Sequence, residues 1–374
     1  MKLMNLFENN TAREKKNKLV HYKGELGDFC YDPKEFEVVN EGYGQYLHYV
    51  GFGKAVNLPK GCVNTRYMFY QCSLPYGFTL GNDFDTSKVT DMFFMFSSCE
   101  MPAGFTLGEN FDTSNVTDMR GMFRECEMPT GFNLGEKFDT SSVTTMSQMF
   151  QDCKLSAGFA LGEKFDTSSV TDMYQMFGGC KMPAGFALGE KFDTSKVTRM
   201  QGMFRDCEMP AGFSLGKKFY TSSVSSMFQM FQGCKLPAGF TLGEKFYTYN
   251  VTDMESMFQE CEMPSGFSLG GNFNTEQVIN MSSMFAYCKM ADDFVLGDLF
   301  DTSNVTDMIS MFQGCKLPHS FTLGEKFYTN DETATLDMFA GSTIPTGFRL
   351  GKNFRISSPL YLEHLFKDCI YAME

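Results

Sequence analysis

Histidine is scarce in this sequence: four of 374 residues, His21, His48, His319 and His364. None has a nucleophile pattern beside it, and His319 stands at a repeat position that usually holds Ala. No phosphate loop or dinucleotide fingerprint is present. A catalytic site is a unique, asymmetric constellation, so the chain is expected not to be an enzyme and to carry no cofactor. Apolar runs are only a few residues long, far short of the roughly 20 needed to cross a bilayer, and membrane insertion is not expected. Positive charge is in deficit, with Lys and Arg numbering 32 against 45 Asp and Glu, for a formal charge of -13 and a pI near 4.9. Non-specific nucleic-acid binding needs clustered cations to displace counterions, and this balance argues against it. The 13 cysteines never form a CxxC pair, so no metal site is expected. The start, "MKLMNLFENNTAREKKNKLV", has too short an apolar stretch to read as an export signal.

What is present is repetition. Cysteines fall at Cys72, Cys99, Cys126, Cys153, Cys180, Cys207, Cys234, Cys261, Cys288 and Cys315, always 27 apart. Two further steps land on Ser342 and Cys369, so the register persists through a degenerate copy. Length alone would suggest two domains, but a repeat array extends as one body because each unit touches only its neighbours.

Within "VTDMRGMFREC", Met119, Met122, Phe123 and Cys126 lie at i, i+3, i+4 and i+7, the spacing of one helical face. Thr117 and Asp118 offer acceptors for orphan amides, so a helix is expected to start there. Pro129 and Gly131 then interrupt it, and the alternation of Phe132 and Leu134 in "GFNLG" predicts a short strand. A unit this small cannot bury its own Phe, Met and Leu, so coils must stack. The expected fold is an α/β repeat solenoid of coils of 27 residues, each with a short strand, turns and a two-turn helix. Residues 1–52 lack the repeat signature and form an N-terminal cap, in which "EFEVVNEGYGQYLHYVG" is consistent with a hairpin. Residues 53–342 form the solenoid. Residues 343–374 form a degenerate C-terminal capping repeat, with Leu360, Leu362 and Leu365 in place of the Met-rich segment.

The word "FDTSNVTDM", followed by "MF" and a Cys at fixed offsets, resembles the repeats of BspA-like leucine-rich-repeat surface proteins from Leu74 to Cys369. The resemblance implies a bacterial or bacterially derived adhesion or protein-binding module, leucine-rich-repeat-like in fold and placed at the cell surface or secreted. Phe111 stands where related repeats often show Trp, and the cysteine column is unusually regular.

Three polar columns invite chemical readings. The cysteines are most simply small buried hydrophobes, with disulfides or a metal ladder as alternatives. Their unpaired arrangement favours a reducing, cytoplasmic setting, against the location that the resemblance implies. Asp85, Asp112, Asp139, Asp166, Asp193 and Asp301 read as turn-forming carboxylates, with calcium ligation as the alternative. The column from Thr86 through Thr113, Thr140, Thr167, Thr194, Thr221, Thr248, Thr275 and Thr302 to Thr329 raises an ice-binding alternative, against hydroxyls bonded to local backbone.

Solenoids work by presenting long faces to a partner. The expected function is a non-catalytic protein-binding or adhesion module whose partner is a protein or a host or cell-surface macromolecule. Tyr220, Tyr247, Tyr249 and Tyr328 replace Asp or Ser in the turn column and are the candidate partner-binding residues. The alternatives are the ice-binding solenoid and an intracellular scaffold with a functional N-terminal cap.

Overall fold

A computed structural model describes residues 18–42, 44–356 and 359–372. The first 17 residues, on which the reading of an absent export signal rests, lie outside them. Two antiparallel pairs open the chain: β1 (Val20–Gly24) with β2 (Gly27–Tyr31), and β3 (Phe36–Glu41) with β4 (Gly44–Tyr49). Two-residue strands β5 (Ala55–Val56) and β6 (Thr79–Leu80) then pair in parallel, as do β7 (Thr343–Ile344) and β8 (Ile370–Tyr371) at the far end. Between β6 and β7 the backbone forms neither helix nor continuous strand.

The expected α/β solenoid with a two-turn helix in every copy is therefore wrong. Met119 accepts from the Met122 N–H at 3.3 Å and Phe123 from the Cys126 N–H at 3.2 Å, which closes two four-residue turns end to end. The third residue of each turn, Gly121 and Glu125, has φ of 57° and 59°. A positive φ at that position is the signature of a type II turn and cannot occur inside a right-handed helix. Corner residues of two such turns fall at i, i+3, i+4 and i+7, so the apolar spacing of a helix arises without one. Asp118 is no helix cap either: its Oδ1 accepts the Arg120 N–H at 3.0 Å and fixes the first turn.

The remaining amide groups explain the stacking. Met119, Gly121, Phe123 and Glu125 donate to the carbonyls of Thr145, Ser147, Met149 and Gln151 in the next coil at 2.8–3.1 Å. Parallel bridges run along two columns, one through Asp91, Asp118, Thr145, Asp172 and Arg199, the other from Glu127 through Lys154, Lys181 and Glu208 to Lys235. The "GFxLG" segment, expected as the pairing strand, is instead a corner in nearly every copy. Phe132 donates to Pro129 at 3.0 Å around Gly131, whose φ of 79° a side chain would strain. Only its first occurrence, β6, pairs as a strand.

The interior follows from the turn corners. From Phe69 to Phe366, twelve phenylalanines of the "MF" column stack face to face, with centroids 5.0–5.9 Å apart and planes within 13°. A second row meets the first edge-on, as Phe132 does Phe123 at 6.0 Å and 73°. Both arrangements suit the ring quadrupole. Val116, Met119 and Met122 fill the space beside them and are wholly buried. Each ring from Phe96 to Phe339 is covered from both sides by copies of itself, so a lone coil would expose its Phe faces to water at about 1.5–3 kcal/mol per side chain.

At the N-terminal end, β4 takes the place of a preceding coil: Tyr49 donates to the Met68 carbonyl at 2.8 Å and its ring meets Phe69 at 5.4 Å. At the other end, the last copy contains the one α-helix among the described residues, α1 (Pro359–Leu365). "PLYLEHL" starts on Pro and is rich in Leu, both of which suit a helix. Leu365 is fully buried, and Phe366 still stacks on Phe339.

Candidate recognition face

The two type II turns of each coil decide which side chains the interior cannot take. Their corner residues point inward, and their middle residues form columns along the outside. One column carries Phe93, Arg120, Ser147, Tyr174, Gln201 and Phe228, followed by Glu255, Ser282, Ile309 and Leu336. Phe93, Tyr174, Phe228, Ile309 and Leu336 are half-buried apolar side chains. Where Asp stands two residues earlier it holds the backbone N–H, as Asp172 does for Tyr174 at 3.0 Å and Asp307 for Ile309 at 3.0 Å. At those coils the backbone is closed, and the varied side chains are what the face offers.

The face is densest at its N-terminal end. Tyr46 of β4, Tyr67 and Tyr70 of the first coil and Phe93 and Phe94 of the second line a cleft of 460 Å³ with Glu41, Arg120, Arg124, Ser147 and Gln148. Tyr67 is the hub. Its ring meets Tyr46 at 5.1 Å, Tyr70 at 5.3 Å and Phe93 at 5.2 Å, the last at a right angle. The Arg120 guanidinium lies 4.7 Å from the Phe93 centroid and bonds Asp118 at 2.6 Å. Arg124 lies 5.9 Å from Phe94 and bonds Glu125 at 2.6 Å. Burial raises the Tyr46 phenol above its ordinary pKa, and the Glu41 and Glu37 carboxylates add to the rise.

The tyrosines singled out in the sequence lie elsewhere, along the turn column. Tyr247 and Tyr249 are brought together, with ring centroids 5.9 Å apart. Tyr220 is half-buried in the preceding coil, and Tyr328 is exposed three coils further on. No ring contact joins Tyr220 or Tyr328 to that pair among the described residues. The turn-face aromatics were missed because Phe93, Tyr174 and Phe228 occupy what reads as the solvent side of a helix. The available signal was glycine at Gly121, Gly179, Gly202, Gly233, Gly314 and Gly341, inside the supposed helices.

The threonine column is interior. Thr86 to Thr302 are at most 1% exposed and Thr329 is 4% exposed. Thr113 donates to the Asp139 carbonyl and Thr140 to the Asp166 carbonyl, both at 2.8 Å. The ice-binding alternative rested on a surface rank of these hydroxyls, and they are staples between coils instead. The Asp column forms turns, Asp112 Oδ1 accepting the Ser114 N–H at 2.9 Å.

All 13 cysteines are free, and ten are buried. Cys126 and Cys153 donate through Sγ to the Phe96 and Phe123 carbonyls at 2.9 and 2.8 Å. Among the described residues no three His, Cys, Asp or Glu side chains converge as metal ligands, and no helix is long and apolar enough to cross a membrane.

The family model described as "Mycoplasma protein of unknown function, DUF285" matches residues 63–182, 132–236, 156–266 and 238–346. The four overlapping matches run without a gap across the stacked coils, as expected where one repeat word recurs. No curated protein and no solved structure matches the chain.

Proposed function

The chain belongs to the DUF285 family, and from that premise we propose that it is a non-catalytic binding module, using the outer columns of its paired turns to hold a protein or cell-surface macromolecule. One contrast carries the reading. Interior positions repeat almost without change, as in Phe123, Phe150, Phe177 and Phe204, whereas the outer column runs Arg120, Ser147, Tyr174, Gln201 and Phe228 over the same coils. A face needed only for solubility has no use for half-buried aromatics, and aromatic and Arg side chains are those that dominate binding energy. The resemblance to BspA-like surface repeats supports adhesion as the setting.

A second surface is favoured by the Tyr247–Tyr249 ring contact, together with exposed Tyr328 and half-buried Tyr220. A pull-down from the native host with the full chain separates the two. Joint Tyr174→Ser and Phe228→Ser substitution should reduce recovery of the partner at least about tenfold, and joint Tyr247→Ala and Tyr249→Ala should not. Undiminished recovery with the first pair removes the turn face from consideration.

A further inference from the structure

The N-terminal cleft differs in kind from the rest of the face, because five aromatic rings from the cap and two coils converge there. We propose that it binds an extended, proline-containing peptide segment bearing a basic residue. This rests on the recognition role proposed above and names the partner class for this end of the face.

Three observations select that occupant. The rings do not form a flat platform: Tyr67 stands at 90° to Phe93, 75° to Tyr70 and 48° to Tyr46. Ridges with slots between them suit the three-fold side-chain spacing of a polyproline II segment and not a stacked planar base. The cleft spans the cap and four coils, on the order of 15–20 Å at about 4.8 Å per coil, which is room for about five or six residues at 3.1 Å each.

The backbone beneath the rings is closed. Tyr67 N–H bonds the Phe93 carbonyl at 2.9 Å, Phe94 N–H the Arg120 carbonyl at 2.8 Å, and Phe93 N–H bonds Asp91 Oδ1 at 2.9 Å. A peptide cannot be added here as another strand and must be gripped by side chains. Polyproline II has no internal backbone bonding to complete, so it tolerates such a grip. An amphipathic helix, about 10–12 Å across, would need a continuous apolar groove, which Glu41, Arg120, Arg124 and Gln148 interrupt.

The charge available to a ligand is negative. Arg120 and Arg124 are neutralised by Asp118 and Glu125, whereas exposed Glu41 has no ion pair among the described residues, and Glu37 lies close enough to act on the same Tyr46 phenol. Arg120 over Phe93 shows that these ring faces accept a guanidinium.

The test is fluorescence anisotropy of the full chain with a labelled probe of about ten residues, polyproline with an arginine at each end. Saturable binding is expected, weakened at least about tenfold by Phe93→Ala or Tyr70→Ala. Glu41→Gln should weaken the arginine-flanked probe about threefold or more while leaving plain polyproline unaffected. Glu41 is exposed at the end of β3, so this variant decides the matter even where an aromatic replacement disturbs folding. No saturable binding, equal binding by a Phe93→Ala protein of wild-type circular dichroism, or an unchanged response to Glu41→Gln each overturns the inference, as does preference for a neutral oligosaccharide or single-stranded nucleic acid. Thr306→Val, exposed and far from the cleft, should leave probe binding intact. Loss of host-partner capture by the Tyr174 and Phe228 pair, with no probe binding by the parent chain, would sink the cleft alone and leave the broader reading standing.

Discussion

Ser342 donates its hydroxyl to the Phe312 carbonyl at 2.6 Å, the same bond that Cys315 makes through its thiol to Phe285 at 2.9 Å one copy earlier. The column therefore selects a small buried donor that joins neighbouring coils, and sulfur is one way to supply it. Cys207, bonded to Phe177 at 2.8 Å, provides the test. Cys207→Ser keeps a donor and should change stability by less than about 1 kcal/mol, whereas Cys207→Ala removes the bond and leaves a void, at about 1–2 kcal/mol. Urea denaturation of the two variants side by side checks the order. Equal losses would mean that packing alone places cysteine there.

The same burial protects the thiols from chemistry. Burial pushes Cys126, Cys234 and Cys315 up to about 12, and Cys153 and Cys207 well above their ordinary value. In the native protein at neutral pH, a charged thiol reagent should modify Cys30 quickly, half-buried Cys72 and Cys369 slowly, and the ten buried cysteines only on unfolding.

Alkaline stability follows with a definite sign. A thiol with a raised folded pKa holds its proton in the native state while the unfolded chain, titrating near about 8.5, has released it. Stability is full below that pH and declines as pH rises toward the folded value, by up to about 1.4 kcal/mol per pH unit for each protected thiol. The urea midpoint should be level from about pH 6 to 8 and fall steeply above about pH 9, and combining Cys126→Ser with Cys234→Ser should flatten the fall. A midpoint that stays level through pH 11 contradicts a protonated interior column.

How much of this was readable before the structure depends on which physical signal each residue carries. The 27-residue period and the Phe-rich interior are legible, because Phe123, Phe150 and Phe177 recur without change. The helix was a misreading, since Met119, Met122, Phe123 and Cys126 satisfy two templates, a helical face and the corners of two type II turns. Gly121 and Gly179 break the tie, because glycine inside a helix costs about 1 kcal/mol but is the preferred residue at a positive φ. The threonine column carried two readings, because sequence shows that the Thr113 hydroxyl persists but not whether its partner is water or the carbonyl of Asp139. The cleft was illegible, since Tyr46 reaches Tyr67 only because β4 occupies the place of a coil.

The left-handed positions also couple neighbouring copies. A Cβ built on Gly179 would lie 2.1 Å from Asp152 Oδ1, and one on Gly233 would lie 2.1 Å from Asp206 Oδ1. The carboxylate of one copy leans over the glycine of the next. Gly179→Ala should therefore destabilise by about 1–3 kcal/mol, through its φ of 67° and the displaced Asp152. Asp152→Gly removes the clash, so the double variant should recover at least about 1 kcal/mol beyond additivity. Additive losses in the double-mutant cycle would show that the two copies do not share this contact.

Thr302 and Thr306 separate the interior hydroxyls from the surface ones. Thr302 is 1% exposed, and its hydroxyl both donates to the Tyr328 carbonyl and accepts the Tyr328 N–H, each at 2.7 Å. Thr306 is exposed and reaches the Ile279 carbonyl at 3.4 Å. Valine has nearly the same shape as threonine, so each replacement tests the hydroxyl and little else. Thr302→Val leaves both backbone groups of Tyr328 without that partner and should lower stability by about 1–3 kcal/mol, against less than about 0.5 kcal/mol for Thr306→Val. Freezing-point measurements on the parent protein should show no thermal hysteresis, because a hydroxyl committed to Tyr328 cannot also order surface water. Hysteresis abolished by Thr302→Val in a protein of unchanged stability would place that column on the outside and invert the assignment of the interior.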